Sequence, residues 1–271
     1  MDSMPDYVRF IEENLAIVDK TGTAQPFVLN SIQRRYLSVD VPVGKPHLVL
    51  KARQQGFSSV ILARFLADFI FKENSRSVVV ADIAENATTL LARLKFYLDS
   101  YNARAPEPIP LKYNSKNELV NGLNGSVYTI GTAKNAEFGR SQTITNLHLS
   151  ESAFYPDLDR IKAGAGNAVV PGGYYVMETT ANGFNTFKSL WDDSVKGESG
   201  FVPLFYGASE FYLPEFLEQK KRELKEKYRQ EFPDSPIEAF ITSGSPYFDR
   251  EALEWYDRVK LERPLHQFSH V

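Results

Sequence analysis

The chain contains no cysteine. That excludes disulfides, zinc–cysteine sites and thiol catalysis, and it fits a reducing compartment. Nor is there a surplus of positive charge: 31 lysines and arginines stand against 34 aspartates and glutamates, for a net charge of −3. A general attraction to nucleic acid is thereby excluded, and any such contact must come from a local basic patch. No apolar run approaches the ~20 residues of a membrane span. Met1-Asp2-Ser3-Met4-Pro5-Asp6 lacks a basic region ahead of an apolar one, so no secretion signal is expected. Internal repeats and low-complexity tracts are missing as well. Core material is ample: 43% of the 271 residues are hydrophobic and 24% charged, enough for one α/β domain with a small appendage.

Periodicity predicts the elements. Val8, Ile11, Leu15 and Val18 recur at helical steps over residues 5–18, started by Pro5 or Asp6. Residues 26–37 read as a turn into a short helix. Apolar strands are predicted at 48–50, 77–82, 126–130, 143–149, 172–179 and 201–206, with helices at 58–72 and 84–101. A proline-rich linker covers 105–110, and Asn121-Gly122 and Asn124-Gly125 mark a hairpin-like stretch. Strands alternating with helices imply a mostly parallel sheet covered on both faces. After residue 207 the character changes to a charged helix over 213–232, with Leu217, Leu224 and Tyr228 as a narrow apolar stripe. A capped turn at 232–240 and a further helix around 250–260 follow.

Most of the chemistry lies in Lys51-Ala52-Arg53-Gln54-Gln55-Gly56-Phe57-Ser58-Ser59, a polar turn between a buried strand and a helix. Backbone amides of Gln54 to Ser58 at a helix N-terminus can cradle phosphate oxygens, and Ser58 can ligate Mg²⁺. The standard phosphate loop, G-x-x-x-x-G-K-[ST], is not spelled, because its first glycine is missing and Phe57 takes the lysine's place. Lys51 or Arg53 would then supply the charge. The simpler reading is a basic turn capped by a serine.

Four further stretches qualify. Leu147-His148-Leu149-Ser150-Glu151-Ser152-Ala153 is an apolar strand ending in a carboxylate, which can orient or deprotonate an attacking water. His148 alternates with leucines and reads as a packed histidine. Glu178-Thr179-Thr180-Ala181-Asn182-Gly183 ends another strand, where Thr179, Thr180 and Asn182 can sense a γ-phosphate or form an ordinary turn. Gly139-Arg140-Ser141 offers an arginine finger or a surface arginine. Gln33 can pair with both edges of adenine or be an exposed helical glutamine. Lys220, Lys221, Arg222, Lys225, Lys227 and Arg229 are interspersed with glutamates and read as a solvated helix face.

In order and spacing these stretches resemble the ATPase (motor) domain of the large terminase subunit of tailed bacteriophages. Gln33-Arg34-Arg35-Tyr36-Leu37 is similar to its adenine motif, 51–59 to a variant Walker A, 147–153 to Walker B, and 179–183 to the coupling motif. Residues 232–240 and Tyr247-Phe248-Asp249 are similar to the segment leading to the family's second domain. The resemblance implies a P-loop NTPase fold of the ASCE type, with a mostly parallel central sheet flanked by helices and a small C-terminal lid subdomain. It implies an ATPase core over 1–207, a lid or linker over 208–250, and the start of a linker over 251–271. ATP and Mg²⁺ would be bound by residues 51 and 53–59 with Gln33. Ser58 would ligate the metal, Ser150 and Glu151 would act on it through water, Glu151 would activate the attacking water, and Arg140 would be received in trans by a neighbour. Ser150 replaces the family's aspartate, which predicts weaker metal binding and low activity in isolation. The implied partners are double-stranded DNA, the portal protein, the small terminase subunit and further copies in a ring, a pentamer. The implied location is the host cytoplasm and, transiently, the procapsid portal. Nuclease activity is not expected, the chain reading as the motor domain alone. Two other readings stay open from the residues: a helicase-like nucleic-acid-dependent ATPase, and a regulatory nucleotide-binding module in which Ser150 marks lost catalysis.

Overall fold

Buried strands bounded by amphipathic helices organise the molecule. A computed structural model describes residues 6–19, 21–40, 44–135, 137–139, 142–240 and Trp255. Helix α1 (Tyr7–Asn14) starts where the Asp6 carboxylate accepts the Arg9 amide. It ends before the predicted residue 18, because the chain turns extended at Leu15 and forms β1 (Ala16–Val18) against β2 (Ala24–Pro26). Helix α2 (Ser31–Arg35) leads to β3 (His47–Lys51) and α3 (Phe57–Phe71). Next come β4 (Arg76–Ala81), α4 (Ala84–Asn102), β5 (Leu111–Asn114), β6 (Glu118–Asn121) and β7 (Val127–Thr132). Strand β8 (Ile144–Ser150), α5 (Leu158–Gly164), β9 (Val169–Thr179), α6 (Thr186–Val195) and β10 (Val202–Tyr206) complete the sheet.

The eight strands run in the order β10-β3-β9-β8-β4-β7-β6-β5. The first six are mutually parallel, while β6 and β5 extend the edge antiparallel. Strand β9 is thus inserted between β3 and β8, the two strands whose ends carry the candidate phosphate loop and Glu151. Alternation sends Val49 to a core under α1, α3 and α4, and Leu48 and Leu50 to a second core under α5 and α6. Helix α3 is apolar nearly all round and buried on nearly every side, as a helix wedged between sheet and outer helices must be.

The predicted single helix over 213–232 is broken. Helix α7 (Pro214–Leu224) stops at Lys225, which has a φ of 50°, and α8 (Tyr228–Glu231) turns back before α9 (Pro236–Ala239). The break lets Phe232 fold onto Tyr212 and Phe216 with Tyr228 stacked on it, a small aromatic cluster packed with Ala52. A straight helix would leave those rings in water. The basic run on these helices is a solvated face, with Lys220 paired to Glu223. The expected helix at 250–260 and the stretch Tyr247-Phe248-Asp249 lie outside the described residues, apart from Trp255. Among the described residues, no helix is long and apolar enough to cross a membrane.

Candidate active site

The C-terminal ends of β3 and β8, with Thr180 just past β9, meet the N-terminus of α3 around a cavity of about 630 Å³. This is where ligands sit in open α/β sheets. No side chain caps α3, so its first amides and the positive end of its dipole face the cavity. The turn before it needs special backbone: Gln54 has φ 59° and Gly56 φ 81°. At Gly56 a Cβ would also lie 2.5 Å from Gln33 Nε2. Close approach here therefore serves a protein side chain.

Gln33 is placed otherwise than the adenine reading requires. It is buried, its Nε2 donates to the Gly56 carbonyl at 2.8 Å, and its Oε1 accepts the Asn30 amide at 3.1 Å. Asn30 accepts the Gln33 amide in return and donates to the Gln55 carbonyl. This capping box has its amide ends occupied and props the 53–59 turn from behind; Gln33 does not line the cavity. Phe57 needs a similar correction. Its backbone is at the cavity, but its ring is buried against Tyr36 and Tyr206, with centroids 5.3 and 4.7 Å away. A lysine here would be carried into aromatic packing and away from the cavity.

Lys51 and Arg53, the two basic residues of the turn, stand in different surroundings. The Lys51 ammonium lies on the cavity floor, 3.0 Å from Glu151 Oε1 and 3.2 Å from Glu178 Oε2, with 5% of its side chain exposed. Burial works against its charge, but the two carboxylates outweigh burial and raise its pKa above the ordinary lysine value. Arg53 stays at the rim, 57% exposed and paired with Glu231. Gln54 is exposed, Gln55 donates to the Gly207 carbonyl, and Ser59 accepts from Arg93 at 3.1 Å.

Glu151 has φ 55° and ψ 45°. Among the described residues, four non-glycines have positive φ, and two of them, Gln54 and Glu151, line this cavity, so backbone strain is concentrated at the site. Glu151 Oε2 accepts the Thr180 amide at 3.2 Å and the Thr179 hydroxyl at 3.4 Å. The ends of β8 and β9 are therefore joined through one carboxylate. Thr180 reaches the cavity wall; Thr179 is buried beneath it, and Asn182 instead donates to the Ala153 carbonyl.

The residue at the centre of the site belongs to no motif legible in the sequence. Glu178 is fully buried. Its Oε1 accepts from Ser58 at 2.6 Å and from Ser150 at 2.8 Å, and lies 3.2 Å from His148 Nε2. Burial alone would raise its pKa. The Lys51 ammonium, with hydrogen bonds from His148 and Ser58, outweighs burial and holds the carboxyl well below the usual range. The available signal was a charged residue ending a buried apolar strand, which demands a partner. Arg93, Asp82 and Asn86, at the β4–α4 side of the cavity, were also missed. Arg140 and Ser141 lie outside the described residues.

The oxygens at the α3 end are hard donors: Ser58 Oγ and Ser150 Oγ are 3.4 Å apart beside the Glu178 carboxylate. Such a set fits Mg²⁺ that keeps several waters and shares phosphate oxygens. Among the described residues, no group of three His, Cys, Asp or Glu side chains could hold a metal by itself.

No family model matches the chain, and no curated protein does. Solved structures do match. The fold is similar to the large terminase ATPase domain of Thermus phage P74-26, with 14% identity and a TM-score of 0.60 over 78% of this chain and 94% of that one. It is also similar to the large terminase of bacteriophage HK97, with 17% identity and a TM-score of 0.65 over 92% of this chain and 57% of that one. For the large terminase of the thermophilic bacteriophage D6E the values are 14%, 0.57, 76% and 52%. This chain spans about half the length of the HK97 and D6E proteins. D6E terminase has been solved with ATP-γ-S and with ADP. At these identities the likeness is one of fold: a mostly parallel α/β sheet flanked by helices.

Proposed function

We propose that this chain is the ATP-hydrolysing motor module of a phage terminase, driving double-stranded DNA into a procapsid. The observation that carries the reading is the buried Lys51 ammonium held between Glu151 and Glu178 at the mouth of α3. The uncapped helix N-terminus offers free amides and the positive end of its dipole to phosphate, and the ammonium beneath it becomes available as phosphate displaces Glu151. The shared fold with terminase ATPase domains supports the same reading.

In this reading ATP phosphates lie on residues 53–59, with Lys51 below them. Bound Mg²⁺ neutralises phosphate charge and orients the γ-phosphate. Ser58 is its protein ligand, and Ser150 holds one of its waters. Incoming phosphate competes with Glu151 for Lys51. The Glu151 carboxylate, released from that ion pair, is then free to take a proton from the attacking water. Thr179 and Thr180, bonded to the same carboxylate, register the change at the end of β9. Arg140 reaches a neighbour's γ-phosphate in trans. Residues 1–207 act as the core, 208–250 as a lid, and 251–271 as the start of a linker. The DNA is held by its phosphates without sequence preference. The working assembly is a ring, a pentamer, on the portal protein, served by the small terminase subunit in the host cytoplasm.

Glu151→Gln tests the central assignment. Nucleotide binding, read by fluorescence, should persist while ATP turnover falls by about 100-fold or more. Turnover unaffected by the substitution would remove Glu151 from the chemistry.

A further inference from the structure

Ser150 leaves the end of β8 without the carboxylate that Walker B strands carry there, yet the charge has not left the site. We propose that Glu178, on the neighbouring strand β9, supplies the missing carboxylate and orders the water shell of the nucleotide's magnesium. This rests on the ATPase reading above and assigns a positioning role within it.

Register brings the two residues together. Ser150 and Glu178 are direct partners in the parallel β8–β9 ladder. Partners in a parallel ladder project to the same face. Leu149 and Met177, one residue earlier, both enter the core under α5 and α6, so Ser150 and Glu178 face α3. Ser58, at the start of α3, meets them there. One carboxylate oxygen, Glu178 Oε1, accepts from both hydroxyls, at 2.6 and 2.8 Å. Three oxygens therefore converge where a metal ligand, its water and a compensating negative charge are needed. His148, two residues before Ser150 on the same face, braces the same oxygen.

The rival account makes Glu178 a counterion for Lys51 and nothing else. Glu151 already neutralises Lys51 at 3.0 Å, and a second, fully buried carboxylate is costly to desolvate. Ion pairing to Lys51 uses Oε2, whereas the hydroxyls converge on Oε1. The two ends of the carboxylate thus serve two tasks, and only one concerns Lys51.

Equilibrium binding of fluorescent ATP-γ-S, with Mg²⁺ and with EDTA, separates these accounts without turnover. In wild-type protein Mg²⁺ should tighten binding by about tenfold or more. Glu178→Gln should lose that tightening while Mg-free binding stays measurable. Adding Ser150→Asp to Glu178→Gln returns the charge from β8 and should restore the tightening, which a lost counterion would not explain. Full Mg²⁺ tightening in Glu178→Gln would overturn the assignment alone. Wild-type protein that binds no nucleotide in either condition would overturn the ATPase reading and the assignment with it. Should Glu178→Gln fail to fold, Ser150→Asp by itself decides. No further tightening supports Glu178 as the carboxylate already in place; a gain of about tenfold overturns it.

Discussion

Lys51 and Arg53 differ in what their charges cost. The Lys51–Glu178 pair is almost wholly dehydrated, with side chains 5% and 0% exposed. Removing Lys51 strands the buried Glu178 carboxylate, at about 3–5 kcal/mol. Lys51→Met should therefore lose nucleotide binding and unfold at clearly lower denaturant, whereas Lys51→Met with Glu178→Gln should recover much of the stability but not the binding. Arg53→Met breaks only a rim pair with Glu231 and should cost less than about 1 kcal/mol. Urea unfolding and nucleotide titration of the three proteins check this. Equal losses of binding from Lys51→Met and Arg53→Met would contradict the assignment of Lys51 as the phosphate cation.

Between elements, the segment after β10 makes the contacts on which the proposed coupling rests. Its aromatic cluster covers Ala52, and the Glu231 carbonyl accepts the Arg53 amide at 2.8 Å. Tyr212 donates to the Arg53 carbonyl at 2.6 Å, and Gln230 donates to the Ala181 carbonyl past the end of β9. One short segment thus touches both the 53–59 turn and the stretch that follows Thr179 and Thr180, as the proposed lid would. Phe232→Ala should remove about 3 kcal/mol of local packing. The expected result is faster proteolysis within 208–240 and weaker nucleotide binding, with little change in the melting of the sheet. Unchanged proteolysis would show that the cluster does not anchor the segment.

For the molecule as an assembly, the arginine finger and the base would belong to different chains. Arg140→Ala and Glu151→Ala should each be nearly inactive alone, and their mixture should regain part of the wild-type turnover per chain. The same logic makes wild-type turnover per chain rise with protein concentration. A mixture no more active than its parts, once light scattering shows that mixed assemblies form, would argue against a finger acting in trans. With a net charge of −3, any DNA binding would rest on a local patch.

The six parallel strands, the helices after β3 and β4, and the strand ends on which chemistry would fall were legible in the sequence by itself; helices α5 and α6 and the antiparallel edge strands β5 and β6 came only with the structure. Apolar runs and their periods are local signals, and Lys51, Ser58, Ser150 and Glu151 stand at fixed offsets from them. Tertiary structure alone decided which charges meet. Inserting β9 between β3 and β8 puts Glu178 against Lys51, Ser58 and Ser150, partners 127, 120 and 28 positions away in the chain. It also turned Gln33 into a prop for Gly56 and Phe57 into core, because a side chain's partners depend on which surfaces fold together. Local sequence records that Glu178 is a charge in an apolar strand. Strand order determines what that charge is for.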